Sequence, residues 1–288
     1  MADQHNDNIP AVGNLIANDI PDIKENLEWH KDLLQMLVGW KASSIATVGP
    51  VPRRSAFAYS DADTLNIGGG SYFHDGTTRQ VVFWDTTLTF DLGSGGDNAD
   101  SDDLGADEWH YIYIDDSAVV TNDDSELDAT CFLNDTTAPQ YTQAKHGWYN
   151  GSDRCIFAVL TNDSNEIKEF IYEDRLVLFA DQVSDRAVAD LDDTFTTCQL
   201  TIPGFATRAM VTFLFRYVDG NSDFYWRTNG QTGSTGHLVG QNTSTEVNMV
   251  QTQTVITDAT QYIQIKNSAS NGNTVGVLTD GWYLPVGM

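Results

Sequence analysis

From about residue 55 onward, short runs rich in Val, Ile, Phe, Tyr and Thr alternate with clusters of Gly, Asp, Asn and Ser, and this rhythm constrains the fold more than anything else in the 288-residue chain. The first set, to about residue 180, includes "RQVVFWDTTLTF", "EWHYIYID", "DRCIFAVLT" and "EIKEFIY". A second set begins near 196 with "TTCQLTIPGF", "RAMVTFLFRYV" and "DFYWRT" and continues to "QYIQIK", "TVGVLT" and "WYLP". Such runs, with no helical period between them, predict antiparallel sandwich or jelly-roll domains rather than a βαβ fold.

The pattern also assigns faces. In "WHYIYI", Trp109, Tyr111 and Tyr113 face one way and Ile112 and Ile114 the other, which predicts a strand covered on both sides. In "AMVTFLFRYV", Val211, Phe213, Phe215 and Tyr217 share one face, opposite Thr212, Leu214 and Arg216. "LTNDSNEI" reads as a hairpin turn, and "DQVSDRAVADLDD", residues 181–193, as a linker between two β domains.

One stretch has a different period. In "DIPDIKENLEWHKDLLQMLVGW", residues 19–40, Ile20, Ile23, Leu27, His30, Leu34 and Leu37 recur at 3-4 spacing. That 3.5-residue period predicts a short helix that associates with copies of itself, because it keeps the apolar seam turned toward a partner. Asp19 and Asp22 suit the positive end of the helix and Gly39 stops it. His30 occupies a seam position, where a polar residue sets register and oligomer state. Residues 1–18 are polar, with Pro10 and Gly13, and read as an extended arm. The predicted organisation is therefore mainly β: an arm over 1–18, a coiled-coil helix over 19–42, a β domain over 43–185 and a β-sandwich domain over 186–288.

Charge and composition exclude several function classes. The formal charge is −26, with 33 Asp against 8 Glu. That balance argues against nucleic acid or an anionic membrane as partner, and aspartate in excess marks polar turns between strands. No apolar run approaches the ~20 residues that span a bilayer. The first 20 residues lack a secretory signal pattern, so the expectation is a soluble chain made in the cytoplasm. Cys131, Cys155 and Cys198 lack CxxC spacing and histidine neighbours, which predicts buried, inert thiols rather than disulfides or zinc.

No chemical motif stands out. There is no GxSxG elbow, HExxH pair or phosphate-cradling loop, so neither a catalytic site nor a cofactor is expected. The acidic run "DLGSGGDNADSDDLGADEWH", residues 91–110, could wrap calcium, but a loop register starting at Asp100 puts Leu104 where an oxygen ligand is needed, so a solvated loop is expected instead. Trp148 and Tyr149 in "GWYNGSDR" are the candidate glycan-stacking residues, since large rings give contact area at low entropic cost.

Three segments taken together, "ADEWHYIYID", "GWYNGSDRCIFAVLTNDSNEIKEF" and the closing "GWYLP", resemble modules of bacteriophage tail-fibre, head-fibre and related virion structural proteins. Trp109, Tyr111, Tyr113, Thr161, Ser164, Ile167 and Phe170 stand at the matching places. The resemblance implies a homotrimer located in the virion, with the arm and helix of residues 1–42 contacting other virion proteins and the β domains turned outward, where host surface glycan is the alternative partner.

Overall fold

Alternation of apolar and polar residues builds nearly every element of the chain. A computed structural model describes residues 54–93, 95–121, 126–217, 222–242, 247–269 and 273–288. The predicted arm, the predicted helix and its six seam positions, Ile20, Ile23, Leu27, His30, Leu34 and Leu37, lie outside the described residues.

Among the described residues the first half holds three sheets. β1 (Phe57–Tyr59), β2 (Thr64–Ile67) and β5 (Leu88–Asp91) form one, and β3 (Gly70–Asp75) with β4 (Arg79–Trp84) forms a two-stranded ribbon. The third has the order β7-β6-β10-β9-β8, from β6 (Trp109–Ile114), β7 (Phe132–Asp135), β8 (Gln140–Thr142), β9 (Gly147–Asn150) and β10 (Asp153–Leu160). A six-residue helix, α1 (Asp116–Thr121), and a 3-10 turn at Ala129–Cys131 lie between β6 and β7. Strand β6 is buried on both faces, as "WHYIYI" predicts. Phe57 of β1 stacks on Phe157 of β10 at 4.0 Å between ring centroids, which joins the first sheet to the third.

The second half is a two-layer sandwich. One sheet has the order β11-β12-β19-β14-β17, built from β11 (Phe170–Glu173), β12 (Leu176–Ala189), β14 (Arg208–Tyr217), β17 (Val247–Ile256) and β19 (Thr274–Tyr283). The other is β13-β18-β15-β16, built from β13 (Thr196–Gln199), β15 (Ser222–Thr228), β16 (His237–Asn242) and β18 (Tyr262–Asn267). Counted from β12 as the first of eight strands, the two sheets read 1-8-3-6 and 2-7-4-5, the strand order of a jelly roll. Phe215 stacks on Phe224 between the two layers at 4.9 Å. Val211, Phe213 and Phe215 are buried, while Leu214 and Arg216 on the opposite face are exposed, as the alternation predicts. Thr212 departs from the prediction: it is buried because its hydroxyl donates to Asp280 Oδ2 at 2.7 Å.

Two expectations need correction. The segment 181–193 is not a free linker, because residues 181–189 belong to β12, which pairs along β19 from Leu176↔Tyr283 to Ala189↔Thr274. The expected boundary at 185/186 therefore falls inside a strand. Its solvent-facing polar residues mimic linker composition while its backbone is part of the sheet. Similarly, "LTNDSNEI" makes a tight turn closed by a Thr161↔Ile167 bridge, with Asn165 at φ 63°, but β11 pairs with β12 rather than back onto β10.

One hydrophobic core runs through both halves, from Phe57 to Met288. Its hub is Trp282 on β19, fully buried and in ring contact with Trp109 at 6.0 Å, Phe157 at 5.9 Å and Phe205 at 5.5 Å.

Candidate functional site

The hairpin β8–β9 sets Tyr141 directly across from Trp148. Cross-strand partners share one sheet face, and the two rings meet edge to face with centroids 5.5 Å apart. Tyr141 is 45% exposed. Trp148 is half-buried, backed by Phe205 at 5.8 Å, and its indole N–H donates to the Val286 carbonyl at 3.1 Å.

Successive strand residues point to opposite faces, so Tyr149 turns inward. It is 3% exposed, and its hydroxyl accepts from the Asp75 amide at 3.0 Å and from Arg154 Nη1 at 3.1 Å. Of the two expected glycan-stacking residues, the structure leaves Trp148 at the surface and places Tyr149 in the interior. Tyr141 is the surface ring that sequence reasoning missed. The signal for it lay in the hairpin "QYTQAKHGWYN", which sets it opposite Trp148 once the turn is recognised.

Beside this pair lies a cavity of about 590 Å³ lined by Arg54, Arg154, Arg175, His146 and the last residues of the chain. Arg54 Nε donates to Met288 O at 2.6 Å, Arg154 Nη2 to Gly287 O at 2.9 Å, and Arg175 Nη2 to Leu284 O at 2.6 Å. Among the ion pairs of the described residues, none joins these three arginines to an Asp or Glu side chain. In a chain of charge −26 this is a local reversal of sign. Planar guanidinium groups suit carboxylate or phosphate oxygens, and here each of the three already donates to main-chain oxygens. Their first effect is to clamp residues 284–288 onto the β body.

Two histidines are buried in the first half. His74 Nε2 bonds Asp116 Oδ1 at 2.9 Å, and Asp116 also accepts from the Thr77 amide and hydroxyl. Burial holds the His74 pKa below its ordinary value despite the carboxylate beside it. The Asp116 carboxyl is held low by Thr77 and His74, whose bonds outweigh the opposing effect of burial. His74 Nδ1 is buried without a hydrogen-bond partner, so this pair does not relay to a nucleophile. His110 is likewise lowered by burial, with Asn134 at 3.0 Å from its Nδ1 and Glu108 at 3.1 Å from its Nε2.

The three cysteines are buried and none is in a disulfide. Burial pushes the Cys198 thiol up to about 12 and raises Cys155 as well, which keeps both in the unreactive thiol form. In the acidic run, Asp97 accepts from the Asp91 amide at 2.8 Å and Asp102 from the Thr136 amide at 3.0 Å, so these carboxylates organise their own loops. Among the described residues no three His, Cys, Asp or Glu side chains are grouped to hold a metal ion.

No protein-family model matches the chain, and no curated protein matches its sequence. Among solved structures, the VP2 protein of infectious bursal disease virus, as a D431N mutant in T=1 particles, is similar at 12% identity and TM-score 0.17, over 88% of this chain and 80% of that one. VP2 of the Gx strain of that virus aligns at 10% identity and TM-score 0.17, over 86% and 77%. A Bacillus thuringiensis Cry1Da tryptic core variant aligns at 7% identity and TM-score 0.17, over 80% and 51%. At such scores little of either chain superposes, so neither fold nor role follows from the likeness.

Proposed function

We propose that this chain is a non-enzymatic structural component of a bacteriophage particle: a homotrimeric fibre, adaptor or decoration protein, anchored through residues 1–42 and carrying its β body outward. The observation that supports this reading is the architecture of the second half. Its jelly-roll order is one that capsid and lectin domains use, and a single core welds it to the first half. The buried histidines and thiols are engaged in packing and hydrogen bonding, which fits a scaffold. Among the described residues no helix is long and apolar enough to cross a membrane.

The test is incorporation into particles. Removing residues 1–42 is expected to abolish incorporation while the β body keeps its circular dichroism spectrum, and retained incorporation would contradict the anchor. Leu27→Asp with Leu34→Asp is expected to lower the trimeric mass seen by light scattering.

A second reading is adhesion to host surface glycan. The exposed Tyr141–Trp148 pair beside an arginine-lined cavity favours it, because rings stack on sugar faces and guanidinium groups take acidic substituents. A glycan array is expected to show binding that Trp148→Ala removes. An array on which the native protein binds nothing would eliminate this reading.

A further inference from the structure

In this acidic chain one concave site has the opposite sign, and it lies against the two surface rings. The cavity of about 590 Å³ is lined by Arg54, Arg154, Arg175 and His146, and among the described residues that line it none is Asp or Glu. Gly287 also lines it, and a Cβ there would stand 3.5 Å from Tyr141 Cε2, while Trp148 Nε1 donates to Val286 O at 3.1 Å. The rings therefore abut the wall of the cavity.

Arg154 points to what the cavity is for. It is 6% exposed, and none of the ion pairs of the described residues includes it. Its Nη1 donates to Phe73 O and Tyr149 Oη and its Nη2 to Gly287 O, while its Nε is buried without a hydrogen-bond partner. Carbonyl and hydroxyl oxygens satisfy N–H groups but cancel no charge, and a buried charge without a counter-ion is costly. The rings of Tyr72 and Tyr149, 5.7 and 5.5 Å from its Cζ, attract the cation without neutralising it. Arg54 and Arg175 add two more charges bonded to carbonyls, and Lys145 Nζ sets a further one 4.6 Å from the same Tyr149 ring. Arg175 uses Nε and Nη2 on Leu284 O, and its Nη1 makes no hydrogen bond among the described residues. Even a carboxylate at Met288, where Arg54 donates, offsets only one of these charges.

We infer that the cavity takes the anionic substituent, a carboxylate or a sulfate, of an acidic saccharide whose adjoining ring stacks on Tyr141 and Trp148. This rests on the adhesion reading and names its ligand class. The volume falls within the range of about 300–1,000 Å³ typical of small-molecule sites, so it holds a sugar residue rather than a bare ion. Forked guanidinium N–H groups match the paired oxygens of such a substituent, and its charge supplies what the main-chain oxygens around Arg154 cannot. The net charge of −26 does not bar an acidic ligand, because at physiological salt exposed charges are screened beyond about 8 Å and the arginines of the cavity decide the local sign. A neutral saccharide would leave Arg154 uncompensated.

The experiment is titration calorimetry of the full-length protein with uronic- and sialic-acid oligosaccharides, their carboxyl-reduced counterparts and a sulfated oligosaccharide. Reduction keeps the rings and removes the charge. An acidic ligand is expected to bind, and whichever of the carboxylated and sulfated ligands binds identifies the substituent. Removal of its charge is expected to weaken binding roughly tenfold or more, the loss of one hydrogen bond to a charged group. Arg175→Met is expected to weaken the acidic ligand to the same extent, with circular dichroism checking its fold; the charged and reduced ligands on native protein decide the matter if that variant does not fold. Charged and reduced ligands that bind equally, both lost in Trp148→Ala, would overturn the inference and leave the adhesion reading intact. Acidic binding that a folded Arg175→Met leaves unaltered would overturn it too. No binding of any saccharide would remove both, whereas acidic binding that needs Arg175 but not Trp148 would uphold the cavity and remove the stacking pair.

Discussion

At the scale of single residues, Trp282 carries the most weight. Its ring is sealed among Trp109, Phe157 and Phe205, and its indole N–H has no hydrogen-bond partner. Trp282→Ala is expected to cost about 3–5 kcal/mol, read as a lower urea midpoint. Trp282→Phe is expected to cost much less, since it keeps an aromatic ring in the site and removes an unsatisfied donor. His74 and His110 set the response to mild acid. Both have folded-state pKa values lowered by burial, so their contribution is fully present above their ordinary value and is lost as pH falls from there through the folded pKa. Thermal stability is therefore expected to fall between pH 7 and 5, and His74→Gln with His110→Gln to flatten that slope in calorimetry. The side of the strand on which Trp148 and Tyr149 fall follows from period two alone. That Tyr149 takes the inner side required its bonds to Asp75 and Arg154 to be seen.

At the scale of elements, local pattern was legible wherever a strand had one consistent environment along its length. "WHYIYI" and the buried row of β14 read correctly because burial on defined faces writes itself into alternation. β12 was illegible for the opposite reason: beyond Phe179 most of its residues are exposed or half-exposed, and its membership of the sheet is written in backbone pairing with β19 rather than in side chains. Gly281 shows how tight that pairing is. A Cβ there would stand 2.0 Å from the Val177 carbonyl oxygen. Gly281→Ala is expected to destabilise the fold by about 1–3 kcal/mol or more, as overpacking does, measured by urea unfolding, while Gly151→Ala, with open space around its Cβ, loses less despite its positive φ. Consecutive strands β14 and β15, and likewise β18 and β19, lie in different sheets.

At the scale of the whole molecule, the halves behave as one body because the core and the arginine clamp both cross between them. Arg54 and Arg154 belong to the first half, and they hold carbonyls of residues 285–288. Arg154→Met is expected to lower the thermal midpoint of the whole protein rather than split it into two transitions, which differential scanning calorimetry would show; two separated transitions would mean independent halves. What the sequence by itself determined is the β class, the faces of the strands with one buried side and the burial of the thiols, because these follow from periods of a few residues. What only the tertiary structure decided is which strands are neighbours and which groups converge. Leu176 beside Tyr283, Arg54 beside Met288 and Trp109 beside Trp282 are contacts between residues more than a hundred positions apart. Such pairings are selected by the free energy of closing the whole core, to which no local stretch of sequence has access.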